Sequence, residues 1–87
     1  MAAVTLAVPN RYDLVGSRWV VTAQFTSPAD TNTWDTGLAV IDHASFTIVE
    51  ASGSAADAIG VGSISGGTIT LDVQGTVTSA LARAEGV

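Results

Sequence analysis

Asp42 and His43 form an adjacent acid–imidazole pair, and Ser45 follows two residues on. These are the residue types of a nucleophile, a general base and the carboxylate that orients it. Their spacing works against that use. Neighbours on a strand point to opposite faces, so Asp42 would turn away from His43, whereas His43 and Ser45 would share a side. No G-x-S-x-G turn marks a nucleophile. His43 therefore reads as a surface or contact residue, and no catalytic residue is expected.

The stretch DTNTWDTG (30–37) spaces Asp30, Asn32 and Asp35 in the manner of oxygen ligands for a calcium ion. An EF-hand loop needs ligands at its first, third and fifth positions, glycine at the sixth and glutamate at the twelfth. Counting from Asp30, the fifth position is Trp34, the sixth Asp35 and the twelfth Ile41, so the pattern fails at each. A looser site competes with ordinary turn chemistry, in which Asx and Thr side chains bond nearby backbone groups, and turn chemistry is the preferred reading. GVGSISGG (60–67) lacks the G-K-[ST] ending and the following helix of a phosphate loop. No metal or other cofactor is expected.

Residues 28–43, PADTNTWDTGLAVIDH, hold three aspartates, one of the two tryptophans and the only histidine. Trp34 stands there among Thr, Asn and Asp, with no apolar neighbour beside it. Three uses are open: an anchor in a partner interface, a lid folded back on its own domain, or a platform for a sugar ring. Buried interfaces favour aromatics with a polar handle, so the anchor is preferred. Trp34, Asp35 and Tyr12 are the candidate partner-binding residues.

The elements that must position these residues are strands. In RWVVTAQFT (18–26), Trp19, Val21, Ala23 and Phe25 share one face, which places Trp19 in the core. TITLDVQGTVTSAL (68–81) puts Ile69, Leu71, Val73, Val77 and Leu81 on one face of a long strand, bent at Gly75. ASFTIVEA (44–51) is apolar on both faces, Val49 included, as in a strand covered on both sides. AIGVGSIS (58–65) joins the strand from 68 through Gly66-Gly67, a two-residue hairpin signal. A first strand over 3–8 should stop at Pro9, and NRYDLVGS reads as a short strand or turn. Residues 55–59 and 79–87 are the helical candidates, each competing with a strand or loop. The expected fold is all-β, a small antiparallel β-sandwich or barrel of five to seven strands. It forms a single domain over 1–87, whose ends, 1–10 and 79–87, could extend as arms.

Composition removes several partner classes. Cysteine is absent, which excludes disulfides and thiolate zinc. Three arginines, no lysine and eight acids give a net charge of −5. Neither nucleic acid nor an anionic membrane suits that balance. The apolar runs are too short to span a bilayer as a helix. The start, MAAVTLAVPN, lacks a basic n-region, so no signal peptide is expected. Charged residues are only 13% of the chain, about half the usual share. Because open strand edges are normally protected by charge, long uncharged stretches (19–29 and 58–71) point to edges that are covered in the working state.

NRYDLVGSRWVVTAQFT, followed by WDTGLAVIDHASFTIVEA, resembles small structural proteins of tailed bacteriophages, of the capsid decoration or cement type. The likeness spans roughly residues 10–51. It lies in a G-x-R-x-V-V strand, a polar loop, a G-L-x-x-I segment and a second strand ending in an acid. The resemblance implies a homo-oligomeric virion protein on the outer capsid surface. Such a protein would bind the major capsid protein, bridge its subunits and associate with itself, with a trimer as the implied arrangement. Tail-tube, connector and fibre-base roles are the near alternatives, and a carbohydrate- or surface-binding module the distant one.

Overall fold

Alternation of apolar and polar side chains shapes this chain throughout. The computed structural model describes residues 2–53 and 56–87. Among them, seven strands form: β1 (Thr5–Val15), β2 (Arg18–Thr26), β3 (Thr33–Asp35), β4 (Ile41–Ala51), β5 (Ala58–Ser65), β6 (Thr68–Gln74) and β7 (Val77–Gly86). They pair antiparallel in two sheets, ordered β1-β2-β7-β4 and β3-β6-β5, giving a small β-sandwich. Val21, Ala23 and Phe25 of β2 face Ile69, Leu71 and Val73 of β6 across one shared core. Phe25, Trp34 and Phe46 form its aromatic centre, with ring centroids 5.4, 5.9 and 6.2 Å apart. The β5–β6 hairpin turns through Gly66-Gly67 as the sequence predicts, Ser65 facing Thr68.

The strand expected over 68–81 is instead two strands in different sheets. Gly75, at φ 70°, turns the chain out of β6, and a Cβ there would lie 2.2 Å from the Asp57 carboxylate. That carboxylate accepts the Thr76 N–H at 2.9 Å and fixes the corner. Facing residues then change parity. Between Ile48 and Ala51 the β4–β7 register slips by one residue and returns, with Glu50 opposite Ser79 and Ala51 opposite Val77, so the irregularity lies in both strands. Beyond this slip Ala80, Ala82 and Ala84 turn inward, and Leu81 is left 48% exposed. The C-terminal segment is neither helix nor arm. It is an interior strand, hydrogen-bonded to β2 and β4, and pairing on both sides overrides the helical leaning of its alanines. The other helical candidate, 55–59, lies partly outside the described residues, and its end opens β5.

Among the described residues, the N-terminal segment is not an extended arm either. The Val4 N–H donates to the Thr33 carbonyl at 2.9 Å, and the Thr33 N–H to the Ala2 carbonyl at 3.0 Å, so residues 2–4 extend the smaller sheet. The chain then crosses to the larger sheet and continues through Pro9. Proline is tolerated because β1 is an edge strand and bulged there. Between Leu6 and Arg11 it takes five steps against three on β2. β4 is the opposite edge. It starts at Ile41 and has one buried side, since Val49 is 50% exposed.

β2 lies between β1 and β7, so its uncharged stretch is covered within the chain itself. The accessible surface is 4738 Å², against about 4,800 Å² expected for a folded monomer of 8.8 kDa.

Candidate functional site

Trp34 occupies the middle of a three-residue strand whose flanking residues, Thr33 and Asp35, turn outward. Its own side chain points between the sheets and is only 1% exposed. Phe25 meets it edge-on, and its Nε1–H donates to Asn10 Oδ1 at 2.8 Å. Trp34 is therefore a core residue and not an anchor on a free surface. The inward pleat of β3 buries the ring, and Asn10 satisfies its polar end.

Asn10 ties the site together. Its Nδ2 donates to the Asp35 carbonyl at 2.9 Å and to the Tyr12 hydroxyl at 3.3 Å. Tyr12 in turn donates to the Thr36 carbonyl at 2.9 Å. Asp35 accepts the Gly37 N–H at 3.0 Å, closing an Asx turn. Thr36 is fully buried, and its hydroxyl donates to the Gly67 carbonyl at 2.6 Å while accepting the Leu38 N–H at 3.2 Å. At φ 78°, Gly37 is in the left-handed region, and a Cβ on it would lie 2.5 Å from the Tyr12 hydroxyl. Tyr12 is thus the strut of a tight corner over 35–38, with its ring still half exposed.

The oxygen groups weighed for calcium do not converge. Asp30 accepts the Val73 N–H at 3.1 Å, and Asn32 Oδ1 accepts the Ala29 N–H at 2.9 Å. Each of the three side chains fixes a different backbone segment. Among the described residues no three His, Cys, Asp or Glu side chains gather as metal ligands would. Asp42 pairs with Arg18. His43 and Ser45 do share the outer face of the larger sheet, opposite Glu85 and Arg83, and both are exposed.

The surface that alternation did not reveal surrounds Trp19. This residue has the same parity as Val21 and Phe25, yet it is 42% exposed, and Leu14, paired with it, is 59% exposed. Tyr12 pairs with Val21 and continues the row. These side chains stand on the inner face of the larger sheet where the smaller sheet no longer covers it. Tyr12, Trp19, Gly37, Leu38, Ala39 and Val87 line a groove of about 440 Å³ there. Val87 is held by Val40, each donating its N–H to the other's carbonyl at 3.0 Å. A smaller depression of about 270 Å³ lies on the outer face, among Thr22, Ser45, Thr47, Leu81 and Arg83.

The period-2 pattern of Arg11, Tyr12, Asp13 and Leu14 signals this row, once the Gly16-Ser17 turn sets Val15 opposite Arg18. Of the three residues singled out from sequence, Tyr12 borders the groove, Asp35 braces its corner and Trp34 lies beneath in the core. Comparison with protein-family models, with curated proteins and with solved structures gives no match.

Proposed function

We propose that this protein is a non-catalytic assembly protein, a capsid decoration or cement protein that binds the outer capsid lattice and bridges its subunits. The observation carrying this reading is the apolar end of the larger sheet, where Tyr12, Leu14 and Trp19 lie exposed on a face that elsewhere forms the core. Exposed apolar side chains clustered round a groove mark a contact surface. Bridging needs a second surface, and the outer face around Leu81 supplies one, lined by Thr22, Ser45 and Thr47. The resemblance to phage decoration proteins supplies the partner, the major capsid protein, and the location on the outside of the virion. It also implies self-association, in a trimer.

The test is to mix purified protein with empty capsid shells of the virus that carries the gene. Saturable binding and a raised melting temperature of the shell support the reading. A protein that ignores shells but binds tails or connectors moves it to another part of the virion.

One observation favours a second reading. Tyr12 and Trp19 line the same groove, and each offers a flat apolar ring with a polar tip, which suits the face and hydroxyls of a sugar ring. A carbohydrate-binding module would show quenching of Trp19 fluorescence by glycans. A flat response across a broad glycan panel removes it.

A further inference from the structure

We infer that the groove at the apolar end is occupied by a second copy of this chain, in a twofold pair that places Trp19 of each protomer in the groove of the other. A twofold interface uses the same patch on both partners, so a projecting group and its receptor must lie side by side on one surface. That is the arrangement here. Trp19 stands 42% exposed on the wall of a groove of about 440 Å³, whose other walls are Tyr12, Gly37, Leu38, Ala39 and Val87. Gly37 and Ala39 project little side chain into the groove and leave room for a ring.

The available area suits a pair of this kind. Tyr12, Leu14, Trp19 and Val87 are 48, 59, 42 and 52% exposed. Together they present roughly 400 Å² of side-chain surface, close to the apolar share of the about 800 Å² that each partner buries in a standard interface. An obligate dimer buries several times more, and a chain with the surface of a self-sufficient monomer has no need of one. A reversible pair follows. The resemblance implies a threefold arrangement instead. A ring of three needs two different patches in contact, whereas knob and groove here share one.

Charge sets the condition under which the pair forms. Each chain carries −5, so two copies repel at low ionic strength. Arg18 and Asp42, beside the groove, already neutralise each other within the chain. Added salt therefore strengthens the pair, the opposite of an interface held by ion pairs.

This inference rests on the reading of the apolar end as an association surface, but its test separates it from the decoration reading. Sedimentation velocity of the whole protein, from roughly 1 μM to 1 mM, reads the mass directly. The expected result is a reversible shift from one chain to two, tighter at high salt. Trp19→Ala and Ala39→Glu each weaken it by about thirtyfold or more, as loss of a central aromatic does. Circular dichroism and the melting temperature show whether each variant stays folded. A wild-type monomer at every concentration overturns the inference, as does a trimer, or a dimer indifferent to both substitutions. Dimers that ignore shells leave the pair standing and remove the decoration reading. A protein that stays monomeric at every concentration yet saturates shells does the reverse.

Discussion

The indole N–H of Trp34 and the side-chain oxygen of Asn10 lie 2.8 Å apart and join the short strand β3 of the smaller sheet to the edge strand β1 of the larger. Asn10 also donates to the Asp35 carbonyl and the Tyr12 hydroxyl, so one amide organises the buried and the exposed aromatic together. Removing it orphans a buried donor. Asn10→Ala should cost about 1–3 kcal/mol, read as a lower midpoint in urea with little change in slope.

The two tryptophans should respond very unequally to truncation. Trp34→Ala empties the centre of the aromatic cluster and should cost about 3–5 kcal/mol. A domain of 87 residues has only roughly 4–13 kcal/mol in total, so this variant approaches unfolding. Trp19→Ala removes a half-exposed ring at a strand end and should cost about 1 kcal/mol or less in dilute solution. Thermal melts of both proteins check the contrast.

Gly37 and Tyr12 should be coupled. Gly37→Ala forces a side chain into the left-handed region at about 1–2 kcal/mol. It also drives the new Cβ within 2.5 Å of the Tyr12 hydroxyl, while the ring carbon behind that hydroxyl is at 3.4 Å. In a Tyr12→Phe background the hydroxyl is gone and only the backbone cost remains. A double-mutant cycle by denaturant melts should show Gly37→Ala as less damaging in that background than in the wild type, a coupling on the order of 1 kcal/mol.

The change of parity in β7 makes a sharp contrast between neighbours. Leu81 is 48% exposed and Ala82 is 3% exposed beneath the aromatic cluster. Leu81→Thr should change stability by less than about 0.5 kcal/mol. Ala82→Leu overfills the space between the sheets and should cost about 1–3 kcal/mol. Were β7 to keep the alternation of β6, the two results would be exchanged.

Much of the sandwich is legible in the sequence, and the failures have physical causes. The alternation of Val21, Ala23 and Phe25 and the Gly66-Gly67 turn are local signals, and both hold. Trp19 misleads because alternation fixes which face a residue is on, while the extent of the opposing sheet decides whether that face is covered. Trp34 misleads because β3 is three residues long, too short to show a period among threonines and aspartates. In β7 the parity changes between Val77 and Ala80, at a local slip in the pairing with β4, and the inward residues are alanines, which carry little hydropathic signal. Asn10 leaves no trace, because its importance lies in contacts 24 and 25 residues away.

The most direct measurement is the emission of two proteins, wild type and Trp19→Phe, with acrylamide as quencher and concentration as the variable. With Trp34 as its sole tryptophan, the Trp19→Phe protein should emit at short wavelength, resist quenching and ignore concentration. The wild type should show a second, quenchable component that shifts to the blue and becomes protected as chains pair. A readily quenched Trp34, or a Trp19 already protected in dilute solution, would contradict the placement of the contact surface at Trp19.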